Sequence, residues 1–333
     1  MADDTRYAYA VARIRGMETG LLDRQWIERL LGESAEGALK VLGDSAFQES
    51  MSEVGRPQDV ERGLTAAMGE TLRVVSRISP EPELIDLFRL RWDFRNLRSL
   101  LKASLLKVPA EDIGLTDGVG TVELAAMVKA VTEGEYADMP DVVAAAAQAA
   151  VEDYRDHEEL GRIDRILDDA LWAHQLSVAS SGGDDFLERY FRSEIDLINI
   201  RAFARIKQAG GDVSDLSAAL IDGGHLGRSF FADLLGEPMD AFARALEYGR
   251  YGALAGVFRE WSREGAYLLE RACDNLLLDL VENARREAYG IEPLVAFVLV
   301  RQLEIKLIRA AMTAKLDGVG RDVVEERLRA VHS

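Results

Sequence analysis

The chain has 333 residues, of which 48% are hydrophobic and 29% charged, a balance that supports a buried core and excludes wholesale disorder. Lys and Arg total 40 against 58 Asp and Glu, a formal charge of -18, which repels phosphate backbones and anionic headgroups, so nucleic acid is not an expected partner. A single cysteine, Cys273, allows no internal disulfide, Met1 to Gly16 is unlike a secretory leader, and the apolar stretches Val142 to Val151 and Val295 to Val300 are too short to cross a bilayer; a cytoplasmic protein is expected.

Taken in chain order, apolar residues recur at spacings of three and four, as at Leu84, Leu87 and Phe88, with no sustained alternation, so the fold class is all-α. Pro80 and Pro82 open one helical run and Asp184 with Asp185 another. Asp322 and Glu325 have capping-box spacing near the end. Gly182-Gly183, Gly210-Gly211, Gly223-Gly224 and the stretch Asp317 to Gly320 mark reversals. Shorter amphipathic segments, Trp26 to Leu42, Thr121 to Ala130 and Asp240 to Tyr248, lie between the longer runs.

The dominant feature is a threefold internal repeat. Asp93-Phe94-Arg95-Asn96-Leu97-Arg98 recurs as Asp196-Leu197-Ile198-Asn199-Ile200-Arg201 and as Glu304-Ile305-Lys306-Leu307-Ile308-Arg309. Upstream of each lies an apolar-acid-Arg triplet: Val60-Glu61-Arg62, Ile163-Asp164-Arg165 and Leu269-Glu270-Arg271, with its acid 32, 32 and 34 residues before the later one. The chain therefore divides into helical modules over 1–106, 107–212 and 213–333, each holding a helix pair. On a helix Asp93 and Asn96 share one side at the edge of the stripe Phe94, Leu97 and Leu101, and Asp196 with Asn199 repeats this. Each later acid is expected to approach an Arg of the facing helix in its own module, as a partly buried ion pair that fixes register. The alternative places Arg98, Arg201 and Arg309 at module surfaces against a carboxylate or helix terminus of a partner.

Signals of chemistry are missing from the sequence. His157, His174, His225 and His332 include no helical zinc spacing, and neither a phosphate loop, a dinucleotide fingerprint nor a nucleophile elbow is present. Asp164, Asp168 and Asp169 lack the further spaced acids of an all-helical diphosphate site. No catalytic residue, cofactor or metal is expected. The aromatic stretch Tyr248, Tyr251, Phe258, Trp261 and Tyr267 allows a binding face, but aromatics at helical spacing are more often core, and it is not made a site.

The repeated residues are those by which the chain resembles the C subunit of the V/A-type rotary ATPases, called the d subunit in eukaryotes. The opening Tyr7-Ala8-Tyr9-Ala10-Val11-Ala12-Arg13-Ile14-Arg15, the run Trp92 to Ala103, the stretch Phe191 to Arg201, and Gly290-Ile291-Glu292-Pro293 followed by Glu304, Lys306, Arg309 and Lys315 carry the likeness. It is weakest over Glu135 to Ala149 and Leu226 to Met239. The resemblance implies a funnel of three pseudo-symmetric helical modules, one copy per complex and a monomer in isolation. It also implies a non-catalytic central-stalk connector that joins the shaft of subunits D and F to the membrane proteolipid ring and transmits torque for proton or sodium transport. That connector would be cytoplasmic and peripheral to the membrane through the rotary complex. A generic helical-repeat adaptor for a soluble protein is the alternative that the repeat alone allows.

Overall fold

A computed structural model describes residues 5–182, 185–261 and 265–319 of the chain. Its elements are helices, with no strand among the described residues. In order they are α1 (Ala8–Glu18), α2 (Arg24–Gly32), α3 (Ala35–Gly43), α4 (Gln48–Met51), α5 (Val60–Ile78), α6 (Pro82–Leu106), α7 (Leu124–Glu133), α8 (Asp141–His157), α9 (Leu160–Ser181), α10 (Asp185–Ala209), α11 (Val213–Ala219), α12 (Arg228–Leu235), α13 (Met239–Glu247), α14 (Ala255–Arg259), α15 (Gly265–Arg285) and α16 (Glu292–Leu316). The all-α expectation holds. The upstream triplets lie on α5, α9 and α15, and the later motifs on α6, α10 and α16.

Local chemistry sets many boundaries. Asp23 caps α2 by accepting from Trp26 N at 2.7 Å, and Ser34 caps α3 through Gly37 N at 3.1 Å. Asp212 and Asp215 close a capping box on α11, satisfying amides that a helix start leaves open. The expected amphipathic segment Trp26 to Leu42 is two helices, α2 and α3, broken at that Ser34 cap. The expected start at Asp184, the Gly183 and Gly320 reversal residues and the Asp322–Glu325 capping box lie outside the described residues.

The chain forms two compact units. One takes the residues up to Asn96, Gly114–Met127 and those from Val281 onward; the other takes Leu97–Ile113 and Val128–Leu280. In the first, α16 packs along α5, with α1 and α3 also against α16. Ile14, Leu42, Leu64, Leu72 and Phe297 are fully buried there. In the second, α9 packs against both α8 and α10, and a core gathers around α10 where Phe203 stacks on Phe242 at 4.2 Å and Phe242 meets Phe258 edge-on at 4.8 Å, geometries that aromatic quadrupoles favour.

Three aromatics of the expected core stretch follow that reading, Tyr267 does so only in part and Tyr248 departs from it. Tyr251 and Phe258 are buried, Trp261 stacks on Phe258 at 5.5 Å and Tyr267 is half-buried. Tyr248, in the turn after α13, is 94% exposed; helical spacing does not constrain a residue beyond the helix end.

Cys273 on α15 belongs to the second unit's core and is fully buried, and burial pushes its thiol up to about 12. A thiolate, not a thiol, is the nucleophile. The folded protein should therefore react with a disulfide reagent at neutral pH only as fast as it unfolds; stoichiometric labelling within the mixing time without denaturant would contradict the packing described.

Candidate functional site

Residues four and three apart share a helix face, and α6 uses this to place Arg89, Asp93 and Asn96 together. All three reach the segment that leads into α7. Asp93, wholly buried, accepts from Thr121 N at 2.8 Å, Thr121 Oγ1 at 2.7 Å and Val122 N at 3.1 Å. Asn96 pairs with the backbone of Thr116 in both directions, donating to its carbonyl at 2.6 Å and accepting from its N–H at 2.9 Å. Arg89 donates to the carbonyls of Val119 and Gly120. A loop whose amides and carbonyls would otherwise be unsatisfied is clamped onto the helix.

The arrangement recurs on α10. Asp196, also wholly buried, accepts from His225 N and Leu226 N at 2.9 Å each and from the Tyr251 hydroxyl at 2.5 Å. Asn199 pairs both ways with Ile221, at 2.8 and 2.9 Å. Arg192 donates to the Gly223 carbonyl at 2.8 Å. The approach leaves no room beside the carboxylate: a Cβ on Gly120 would fall on Asp93 Oδ1, and one on Gly224 on Asp196 Oδ1.

The third copy takes its loop from the other end of the sequence. Glu304 of α16 accepts from the backbone N–H of Leu22 and pairs with Arg301 at 2.7 Å. The Arg301 guanidinium lies over the Phe47 ring at 5.0 Å and near Phe297 at 5.6 Å. Leu22, Val122 and Leu226 each stand two residues before the first residue of α2, α7 and α12, so in every copy the carboxylate meets the positive end of a docked helix. Two copies also hold that helix at its other end: Lys207 donates to the carbonyls of Leu234 and Leu235, and Lys315 to those of Leu31 and Glu33. Both lysines lie eleven residues beyond their motif acid, where the first copy has Ser104.

The expected pairing of each later acid with a facing Arg is therefore corrected. Asp93 and Asp196 bond to loop backbone, and Glu304 pairs with an Arg of its own helix. Two of the motif arginines instead meet the upstream acid of another copy, and the third meets an acid one turn beyond it. Arg98 contacts Asp164 at 3.3 Å and Asp168, with Lys102 on Asp164 at 2.6 Å. Arg309 holds both carboxylate oxygens of Glu61 at 2.7 Å. Arg201 reaches Asp274, one turn beyond Glu270, at 4.0 Å. Arg62 donates to the Glu53 carbonyl, Arg165 to Asp169 and the carbonyls at the end of α11, and Glu270 and Arg271 are exposed.

Burial pushes the carboxyls of Asp93, Asp196 and Glu304 above their ordinary range, against the pull of Thr121 and Val122, of Tyr251 and the Leu226 and His225 amides, and of Arg301 respectively. These acids bind protons more tightly folded than unfolded. Their contribution to stability is fully present below the unfolded value, about 4 for Asp, and is lost as pH rises through the raised one. In urea titrations, wild-type stability relative to Asp196→Asn should fall as pH rises across that window and then level off. A difference that does not change with pH would refute a raised Asp196. At neutral pH, Gly120→Ala and Gly224→Ala should each cost about 1–3 kcal/mol, the penalty of stranding buried donors, whereas Gly256→Ala, where a Cβ meets open space, should not.

Residues 10–327 match the family described as ATP synthase (C/AC39) subunit. The A-type ATP synthase C subunit of Thermococcus kodakarensis is 27% identical over 97% of this chain and 90% of its own length, and that of Desulfurococcus sp. is 26% identical over the same shares. The V-type sodium ATPase C subunit of Enterococcus hirae is 22% identical over 96% of this chain and 97% of its own. With the match running through all three motif helices, the chain belongs to the ATP synthase (C/AC39) subunit family of rotary ATPases.

Proposed function

We propose that the chain is the non-catalytic connector of a V/A-type rotary ATPase, seating the shaft of subunits D and F on the membrane proteolipid ring and passing torque between them, as one copy per complex. The end-to-end likeness to relatives named as C subunits of such machines carries this reading. No helix among the described residues is long and apolar enough to cross a membrane, which suits a body that rests on the membrane sector. The three-module division, 1–106, 107–212 and 213–333, is proposed on the sequence repeat, and each loop clamp then ties the motif helix of one module to a loop of another. The repeat-motif residues then serve as framework: Asp93, Asn96, Asp196, Asn199 and Glu304 hold loops, while Arg98, Arg201 and Arg309 tie α6, α10 and α16 to α9, α15 and α5.

The protein should co-elute in size-exclusion chromatography with detergent-solubilised proteolipid ring and, separately, with the D–F shaft. Binding to neither, with ring and shaft each shown intact, would overturn the connector reading and favour an adaptor for a soluble protein.

A further inference from the structure

The motif helices of the second and third copies end alike. Gly210 and Gly318, each fourteen residues after its motif acid, take the left-handed conformation at φ of 72° and 69°. The next amide then reaches back five residues, Gly211 N to Ile206 O at 2.9 Å and Val319 N to Ala314 O at 2.8 Å. These are Schellman ends, which stop a helix and turn the chain in a defined direction. In the second copy the chain uses that turn at once. Asp212 and Asp215 close their capping box, and α11 brings Leu216 and Leu220 into the core that holds Phe203 and Ile206 of α10.

The corresponding place in the third copy is open. Leu316 and Val319 are 40% and 43% exposed and border a groove of about 530 Å³ that the buried Leu31 and Ala311 also line. Glu33 and Glu36, both exposed, line it as well, and neither forms an ion pair among the described residues. Lys315 of the same groove donates to the carbonyls of Leu31 and Glu33. The groove is therefore apolar along α16 and acidic where α2 gives way to α3.

The sequence beyond Val319 supplies a segment that matches it. Asp322 and Glu325 have the spacing of Asp212 and Asp215, the pair that starts α11. Val324, Leu328 and Val331 follow at spacings of four and three, which is one stripe of a helix. At about 100° per residue, Arg327 borders that stripe and Glu326 lies opposite it. Glu325 belongs to the capping box and is turned toward the helix start.

We propose that residues 323–331 of this chain occupy the groove at the end of α16, with Val324, Leu328 and Val331 on Leu31, Leu316 and Val319 and with Arg327 toward Glu33 and Glu36. The segment then covers α16 as α11 covers α10. The inference does not rest on the connector reading. A segment tethered beside the groove is present there at an effective concentration of about millimolar, which a separate molecule lacks. A second copy of the chain suits the groove less well, since a stable interface takes about 800 Å² from each partner and only two aliphatics, each less than half exposed, stand open here. While docked, the segment keeps Leu316 and Val319 from any other protein.

The test measures how fast a disulfide reagent reacts with the full-length Ala35→Cys protein, since Ala35 lines the groove and the buried Cys273 reacts only on unfolding. The same rate is measured with Leu328→Ser and Val331→Ser added, and with the control Glu326→Ser added instead. All forms are checked for wild-type helicity and melting, and Leu316→Cys repeats the series should Ala35→Cys disturb α3. The stripe substitutions should speed the reaction about tenfold or more, the scale of one lost aliphatic contact, while the control leaves it unchanged. A rate that the stripe substitutions do not alter overturns the assignment, as does equal acceleration by the control. Each rate is taken at two protein concentrations. Protection that is lost on dilution would assign the groove to a second copy and overturn the proposal too.

Discussion

A carboxylate removed from water must be given hydrogen bonds, and the most accessible donors in a helical protein are the backbone amides that helix starts leave unpaired. Asp93, Asp196 and Glu304 are placed to use them. Much of the local structure stems from that requirement. A glycine must stand beside the carboxylate, hence Gly120 and Gly224, because any Cβ would collide with it. An arginine one turn earlier is useful, since Arg89 and Arg192 collect the carbonyls that the same loop turns toward the helix. An asparagine one turn later is useful as well, because a carboxamide can mirror a peptide group in both directions. In the third copy, whose loop precedes α2, Leu307 replaces the asparagine and a buried Arg301 supplies charge instead.

The third clamp closes the first unit from both ends of the sequence. Leu22 docks on Glu304, Lys315 holds the end of α2, and Arg285 reaches back to Glu18 at 3.0 Å. The helix α2 thus stands to α16 as α7 stands to α6 and as α12 stands to α10. A repeat written as three copies in sequence is completed by taking the last copy's loop from the first residues described.

The helices, the repeat and the burial of the motif acids are legible in the sequence because each leaves a periodic trace: apolar spacing, a recurring six-residue run, and an acid at the edge of an apolar stripe. The partner of the acid is not, because a backbone amide has no side chain to read. A recurring Arg four residues before each Asp, together with glycines at 120 and 224, is the available signal, and it points to a loop rather than to an arginine. The interhelical pairs elude the sequence for a related reason. Spacing along the chain reports which residues recur, and only the packing of α16 along α5 reports that Arg309 meets Glu61. Tyr248 escapes the core it was expected to join because periodicity has no authority past the end of a helix.

The two kinds of polar contact differ in what they can do. Arg98, Arg201 and Arg309 meet their carboxylates with both partners between 29% and 55% exposed, where solvent screening leaves an ion pair worth about 0–1 kcal/mol. The clamp acids Asp93, Asp196 and Glu304 are buried, and breaking a clamp strands buried groups at several times that cost. Register is therefore set by the clamps, with the ion pairs as adjustable ties between helices of adjacent copies. In the proposed connector role this division is useful. A body under torque needs helices that do not slide along their own loops, which the clamps prevent. It also tolerates small changes at the ties between helices, since trading one exposed carboxylate for another, as Arg201 does in reaching Asp274 rather than Glu270, costs little.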